Sequence, residues 1–549
     1  MNAADTDDRR VVIIGPPPTP NGDLHVGHIA GPYLAADVHA RYLRAAGRSV
    51  LYVSGTDDSQ TYVVGTAARQ GTSPEALADK SWHDIRAAFD AVGIAVDGFA
   101  PFDDGYRSAV LDFVDRLYRA GAFELRTVRM PYSAATGRYL MEGLVSGECP
   151  VCLAVSRGGL CESCGHPNNF DDLRDPWSTV DPDDPVTLRE TQILVLPLER
   201  YRPQLEQFYA HRRLPWRPHM EQLVRELLAR PLPDFPITYP TDWGIPAPFA
   251  ETPGQVLNAW AEGMPASMYC TAVGQAHAGE RPAAADELWR RDRDIQLVYF
   301  LGFDNAYFWG VTHLALLLAH QDRYVLPDTI VCNEFYELEH DKFSTSKGHV
   351  IWARDLLAEV PRDLVRFYLA LTAPEHARTS FSSPALTKVA HTRLVQPWND
   401  LVTDLAAAAR TLGVHGAALP AGPAAHTRRT AMTARFTACY ELPGFSMFRA
   451  ADLISLHVQR LRESAAALTA ALPELDAPAA IERLGDLYTE VGALAAAAAP
   501  ILIDLGAAVA ATTSRPGQAA PDSGPVRAVD LPTLPAVAPA QHQVPCTSP

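Results

Sequence analysis

"VVIIGPPPTPNGDLHVGH", residues 11–28, sets the frame for the rest of the chain. Four apolar β-formers, Val11 to Ile14, run straight into a proline- and glycine-rich turn, "GPPPTPNG". Such a run reads as a buried strand closed by a loop. A helical pattern then passes through "LHVGHIAGPYLAADVHARYLRAAG" and stops at Gly47. "SVLYVSGTDD" follows as a second strand with polar residues at its C-terminal end. Strand, helix and strand within about 45 residues form a βαβ unit, the start of a Rossmann-type, doubly wound α/β sheet. Ligands of such sheets bind beyond the C-terminal ends of the strands, where both polar turns fall.

Within the first turn, His25 and His28 stand three residues apart at the start of a helix and so share a face. Beside the free N–H groups of a helix start, two imidazoles suit a phosphate; the alternatives are an ordinary helix start or a metal pair. A second polar segment, "HDKFSTSKGH" (340–349), stands out by its lysines. The chain has only four, Lys80, Lys342, Lys347 and Lys388, and the rest of its 47 basic residues are arginine. Arginine would serve equally well on a solvated loop. An ammonium is a compact, mobile point charge suited to a moving phosphate, and nearby serines and a glycine let the backbone approach a polyanion.

Outward from these segments the chain divides into six stretches. Residues 1–118 are the first half of the sheet domain. Residues 119–245 break the rhythm with many prolines and a cysteine cluster, and read as an insertion. Residues 246–330 complete the sheet, through "IQLVYFLGFDN" and "RYVLPDTIVCNEF". Residues 331–385 carry the lysine loop. Residues 386–512 are alanine-rich with helical periodicity and read as an antiparallel bundle. Residues 513–549 lack periodicity and read as a disordered tail. In the insertion, Cys149-x2-Cys152 and Cys161-x2-Cys164 offer four thiolates for a closed, tetrahedral structural Zn²⁺. The four other cysteines are scattered, which is no disulfide framework.

A net charge of −17 argues against broad, non-specific nucleic-acid binding, which rests on a basic surface, and leaves room for one local basic groove. The acidic "MNAADTDDRR" is not a secretory leader. The most apolar run, 492–511, is mostly alanine and is broken by Pro500 and Asp504, so it reads as a buried helix pair and not a membrane span. A cytoplasmic protein is expected.

Taken together, "PNGDLHVGH" and "KFSTSKG" resemble the two signatures of class I aminoacyl-tRNA synthetases. "YVSGTDD", the knuckle after "GLVSGE", "DWGIPAP", "FLGFDN" and "NEFYELEHDKFSTSKGHVIW" extend the resemblance to the methionyl-tRNA synthetase family over residues 10–390. It implies an ATP-dependent ligase that forms an aminoacyl-adenylate with Mg²⁺ present. It assigns His25, His28 and Lys342 to catalysis, and Gly27, Gly302, Asp304, Ser344, Ser346 and Lys347 to ATP. Asp57 is implied to hold the amino acid's ammonium, with Thr19, Trp260, Ser267 and Trp309 around its side chain. A monomer is implied.

The chain also departs from the family. Thr345 stands where the signature loop has a second lysine, Phe303 replaces the lysine of "GKD", and Ser59–Gln60 replace a histidine and a glycine. Tyr239–Pro240 replace an Arg-Asp pair. Thr19, Ser267 and Trp309 replace two tyrosines and a histidine of the methionine pocket, so an altered amino acid is expected. Residues 456–472 lack the family's anticodon-reading Asn and Trp, and residues 386–506 hold ten Lys/Arg against eleven Asp/Glu, which argues against tRNA and for a small-molecule or carrier acceptor in a biosynthetic pathway. The alternatives are a methionine–tRNA ligase with a divergent pocket and a silent scaffold that only binds.

Overall fold

The computed structural model describes residues 8–212, 214, 216–343, 348–513 and 526–536. Its centre is a five-stranded sheet of β1 (Val11–Ile14), β2 (Val50–Ser54), β3 (Gly98–Phe99), β4 (Gln296–Gly302) and β5 (Thr329–Asn333). The order is β5-β4-β1-β2-β3, and every pairing is parallel. The chain enters at the middle and winds outward both ways, which puts the turn after β1 at the crevice of the sheet. All four residues of β1 are 0% exposed. Val11 and Ile13 join one core with Val298 and Phe300, while Val12 and Ile14 join another with Leu297 and Tyr299. A strand covered on both faces must be apolar at every position, which is why "VVII" shows no alternation. β5 crosses residue 330, so the sheet extends into the stretch assigned to the lysine loop.

The helix expected after the first turn is not continuous. One turn, Val26–His28, leads into a wide turn, Ile29–Tyr33, where Gly31 leaves helical geometry (φ −76°, ψ −121°) ahead of Pro32. Helix α1 (Leu34–Ala45) then runs on. Pro32 brings no N–H to the ladder, and the Asn333 side-chain amide donates to the Gly31 carbonyl at 2.7 Å. The kink thereby ties the first turn to the end of β5.

The insertion carries its own antiparallel sheet, built on Glu124–Ser133 paired along its length with Val186–Pro197. A smaller sheet, Val145–Glu148 with Val155–Arg157 and Arg174–Ser178, holds the knuckle. The 492–511 run is split, as its proline suggests, into the end of one helix (Ala477–Ala498) and another, Ile503–Thr513. No described helix is long and apolar enough to cross a membrane.

Part of the stretch read as a disordered tail is ordered. Val526–Arg527 pairs with Ala418–Leu419, and Ala528, Leu531 and Leu534 are buried against the bundle. The Trp398 indole donates to Pro532 O at 2.9 Å, and Asn399 exchanges two hydrogen bonds with Leu534. Three apolar residues spaced among prolines give no helical or strand period, so the packing left no signal of the usual kind.

Candidate functional site

A cleft of about 350 Å³ opens beyond the C-terminal ends of β1 and β4. His25, Gly27, His28, Gly302, Asp304 and Lys342 all line it, although they come from segments up to 317 residues apart. The two imidazoles are stacked, with ring centres 3.7 Å apart, and His25 stacks in turn on Phe343 at 4.4 Å. The His25 backbone N–H donates to His28 Nδ1 at 3.3 Å, which fixes the second ring. Gly27 is needed here: a Cβ on it would stand 2.9 Å from both His25 Nδ1 and Phe343 Cδ2. Burial holds His28 at a pKa of about 4, and burial, His28 and Lys342 push His25 well below the usual range. Both rings are therefore neutral near pH 7 and can act as hydrogen-bond donors to an anion, with Lys342 supplying the positive charge.

At the end of β4, burial and then the nearby Glu162 raise Asp304 to about 6, and Asn305 donates to its Oδ1 at 3.1 Å. A Cβ on Gly302 would meet that same oxygen at 2.6 Å. Lys342 is 66% exposed and rests on Glu162. Ser344, Ser346 and Lys347 lie outside the described residues. Glu162, Ser163, Tyr33, Phe343 and Arg378 also line the cleft and were not singled out in the sequence. Glu162 sits between Cys161 and Cys164, but cysteine spacing does not say which way a knuckle faces.

The knuckle forms as its spacing implies. Cys149 and Cys164 Sγ are 3.8 Å apart, Cys152 and Cys161 Sγ 3.6 Å, and all four lie within 4.8 Å of one another. Four thiolates on tetrahedral Zn²⁺ stand about 3.8 Å apart, so the set fits this ion, with no position left for catalysis. The turns are those such a loop needs: the Val151 N–H donates to Cys149 Sγ at 3.4 Å, and Gly165 takes φ +75°.

The residues expected around the amino acid are gathered less completely. Trp260 stacks on Phe308 at 3.6 Å, and its carbonyl accepts from His313 Nε2 at 2.6 Å. His313 packs against Trp309 at 4.6 Å, and a Cβ on Gly263 would stand 2.8 Å from it. Trp309 is 1% exposed, its edge against Tyr299. Ser267 spends its hydroxyl on Gly263 O, one helical turn back. Thr19 sits in the first turn, beside the Pro18 carbonyl that accepts the Asp57 N–H at 3.1 Å. None of these five residues lines the cleft with His25.

Asp57 has one oxygen on Gln60 Nε2 at 2.7 Å; the other is buried without a partner among the described residues. Burial raises it well above the usual carboxylate range, with Glu142 and Asp58 adding to the shift. Glu262, fully buried, accepts from Ser59 at 2.9 Å and has its second oxygen equally unpaired. Burial lifts Glu142 to about 8 against a hydrogen bond from Tyr239. This group of buried acceptors suits a bound ammonium. Glu262 and His313 were missed: one acid and one histidine inside apolar helices look like ordinary core residues.

Comparison with known proteins gives the family. The family model described as "tRNA synthetases class I (M)" matches residues 11–405. Methionine--tRNA ligase of Porphyromonas gingivalis is 32% identical over 379 residues, which cover 68% of this chain and 54% of that protein. The Bacteroides fragilis protein of the same name is 30% identical over 379 residues, with the same coverage. The chain thus spans about half the length of the curated relatives it matches. Mycobacterium tuberculosis methionyl-tRNA synthetase bound by methionyl-adenylate superimposes with a TM-score of 0.74 at 21% identity, covering 96% of this chain and 99% of that one. Its apo form gives 0.68 at 19%, over 99% and 100%. A family match that runs from the first strand to the helical region, over the segments that meet in the cleft, means that the chain belongs to the class I tRNA synthetases of the methionyl type.

Proposed function

We propose that the protein activates an amino acid with ATP, forming an aminoacyl-adenylate and pyrophosphate, and that methionine and tRNA are the first candidates for substrate and acceptor. The observation that carries this reading is the meeting of His25, His28, Asp304 and Lys342 in one cleft. The amino-acid carboxylate attacks the α-phosphorus, and charge builds on the phosphate oxygens and the leaving pyrophosphate. The neutral imidazoles donate to those oxygens. Lys342 leaves Glu162 and follows the pyrophosphate. Asp304 accepts from the ribose hydroxyls, and Mg²⁺ accompanies the nucleotide. Asp57 holds the ammonium.

The names of the relatives support a methionine–tRNA ligase more than they support a changed substrate. One observation favours the second reading. Trp309 fills packed interior, and the resemblance sets it in place of a histidine and Thr19 and Ser267 in place of two tyrosines. A pocket so rebuilt changes which side chain packs well. On the acceptor side, Arg393, Arg410, Arg428, Arg460 and Arg462 are each paired with an acid. ATP–pyrophosphate exchange across the amino acids decides the first question. Exchange fastest with methionine supports the ligase reading, and exchange fastest with another amino acid supports the changed pocket. Charging of bulk tRNA decides the acceptor. Absence of exchange with every amino acid would leave only a binding role.

A further inference from the structure

The two imidazoles of the cleft are not held alike. His28 has a hydrogen bond, its Nδ1 accepting from the His25 backbone N–H at 3.3 Å. His25 Nδ1 is buried with no hydrogen-bond partner among the described residues. Two other rings hold the His25 ring instead. His28 lies on it at 3.7 Å with 20° between the planes, and Phe343 at 4.4 Å with 5° between them. Stacking of this kind orders a ring where a polar partner does not.

Phe343 is itself closely placed. It is buried, and it joins the core that includes Leu24, Val26, Leu338 and Ile351. Gly27 makes room for it, since a Cβ there would stand 2.9 Å from Phe343 Cδ2. The backbone is pinned on both sides. Before it, Leu338 and Asp341 exchange N–H to O bonds at 2.8 and 2.9 Å around Glu339 and His340, both at positive φ. On the returning side, His25 pairs with Trp352 in an isolated β-bridge. The Val26 N–H donates to Ile351 O at 3.0 Å and the Ala353 N–H to Leu24 O at 2.9 Å, one on each side of that bridge. Lys342 lies between the tight turn and the Phe343 ring, so the seat of that ring also fixes where the ammonium leaves the backbone.

We propose that Phe343 is a positioning residue for the adenylation step: its ring sets the plane of the His25 imidazole and the point from which Lys342 reaches the phosphates. It acts through those two side chains, and the inference rests on the activation reading. Two measurements on the full chain keep the two apart. The first is a pH titration of labelled histidine by NMR, with His25 assigned by its loss in His25→Gln. In the native chain burial, His28 and Lys342 keep His25 from taking up its proton until well below the usual range. In Phe343→Ala water reaches the ring and the His25 midpoint rises towards the ordinary histidine value, whereas Phe343→Tyr keeps the native midpoint. The second is ATP–pyrophosphate exchange. Phe343→Ala lowers kcat by about ten-fold with KM for ATP within about two-fold, and Phe343→Tyr recovers the rate. Phe343→Leu keeps the apolar cover without the flat face and moves both readouts in the same direction, should Phe343→Ala fail to fold. An unmoved His25 midpoint, or a kcat equal to that of the native chain, would overturn the proposal. Exchange by the native chain with an unmoved midpoint sinks this proposal alone. A moved midpoint without exchange by the native chain sinks the activation reading and leaves the hold on the His25 ring.

Discussion

His25 and His28 stand in the cleft as neutral rings near pH 7, because burial removes their charge. The sign for stability follows. The unfolded chain takes up a proton on each ring below about pH 6.5, whereas folded His28 does so only near 4. The contribution is thus fully present above 6.5 and is lost as pH falls towards 4. Between pH 7 and 4.5 the native protein should lose on the order of 1–2 kcal/mol more stability than His28→Asn. Equal losses in parallel denaturant titrations would show that the ring is protonated in the folded state. At neutral pH that variant should still lower adenylation, since it removes a donor to the phosphate. These two histidines were legible because their spacing and their place after a strand both point to one site. Asp304 needed the family pattern, and Glu162 needed the fold.

Among the elements, the side that the knuckle turns to the cleft and the bundle's edge are the least predictable from sequence and the most exposed to test. Through Glu162 and Ser163 the knuckle forms part of the cleft wall. Removing the metal with a chelator should release one Zn²⁺ per chain, lower the melting temperature and raise KM for ATP more than it lowers kcat. Loss of zinc with no change in melting would separate the knuckle from the fold. At the other end, Ala528, Leu531 and Leu534 cover the bundle, and the Pro532 and Leu534 backbone holds the Trp398 and Asn399 side chains. Deleting residues 526–549 should cost about 3–5 kcal/mol, read by urea unfolding. An unchanged midpoint would mean that this segment does not pack in solution. Helices and parallel strands announced themselves by period; this segment holds by three side chains and a few bonds, which have none.

On the scale of the molecule, Arg366 joins the sheet and helical parts. It is fully buried, donates to Asp37 of α1 at 2.7 Å, and reaches the Pro500 and Ile501 carbonyls at 2.7 and 2.9 Å. Arg366→Ala leaves buried Asp37 with Arg41 as its remaining cation and strips the Pro500 and Ile501 carbonyls of a donor, and should destabilise the chain by about 2–4 kcal/mol. Arg366→Met with Asp37→Leu should recover much of that loss. If the single variant unfolds like the native chain, the pair does not hold the junction. The sheet and the bundle could be read from sequence because each follows its own period, and the insertion because its prolines and cysteines break both. The kink at Gly31–Pro32 could not: two residues interrupt a pattern that otherwise continues across them.

All of these scales meet at Lys342, one of four lysines in an arginine-rich chain, set between the knuckle's Glu162 and the histidine pair. The most direct measurement is ATP–pyrophosphate exchange by the native protein and Lys342→Ala across the amino acids. The account predicts exchange with at least one of them, methionine first, and a loss of about 2–3 kcal/mol of transition-state stabilisation in the variant, a rate lower by roughly 30- to 150-fold. Exchange that proceeds equally well without Lys342, or none with any amino acid, would contradict it.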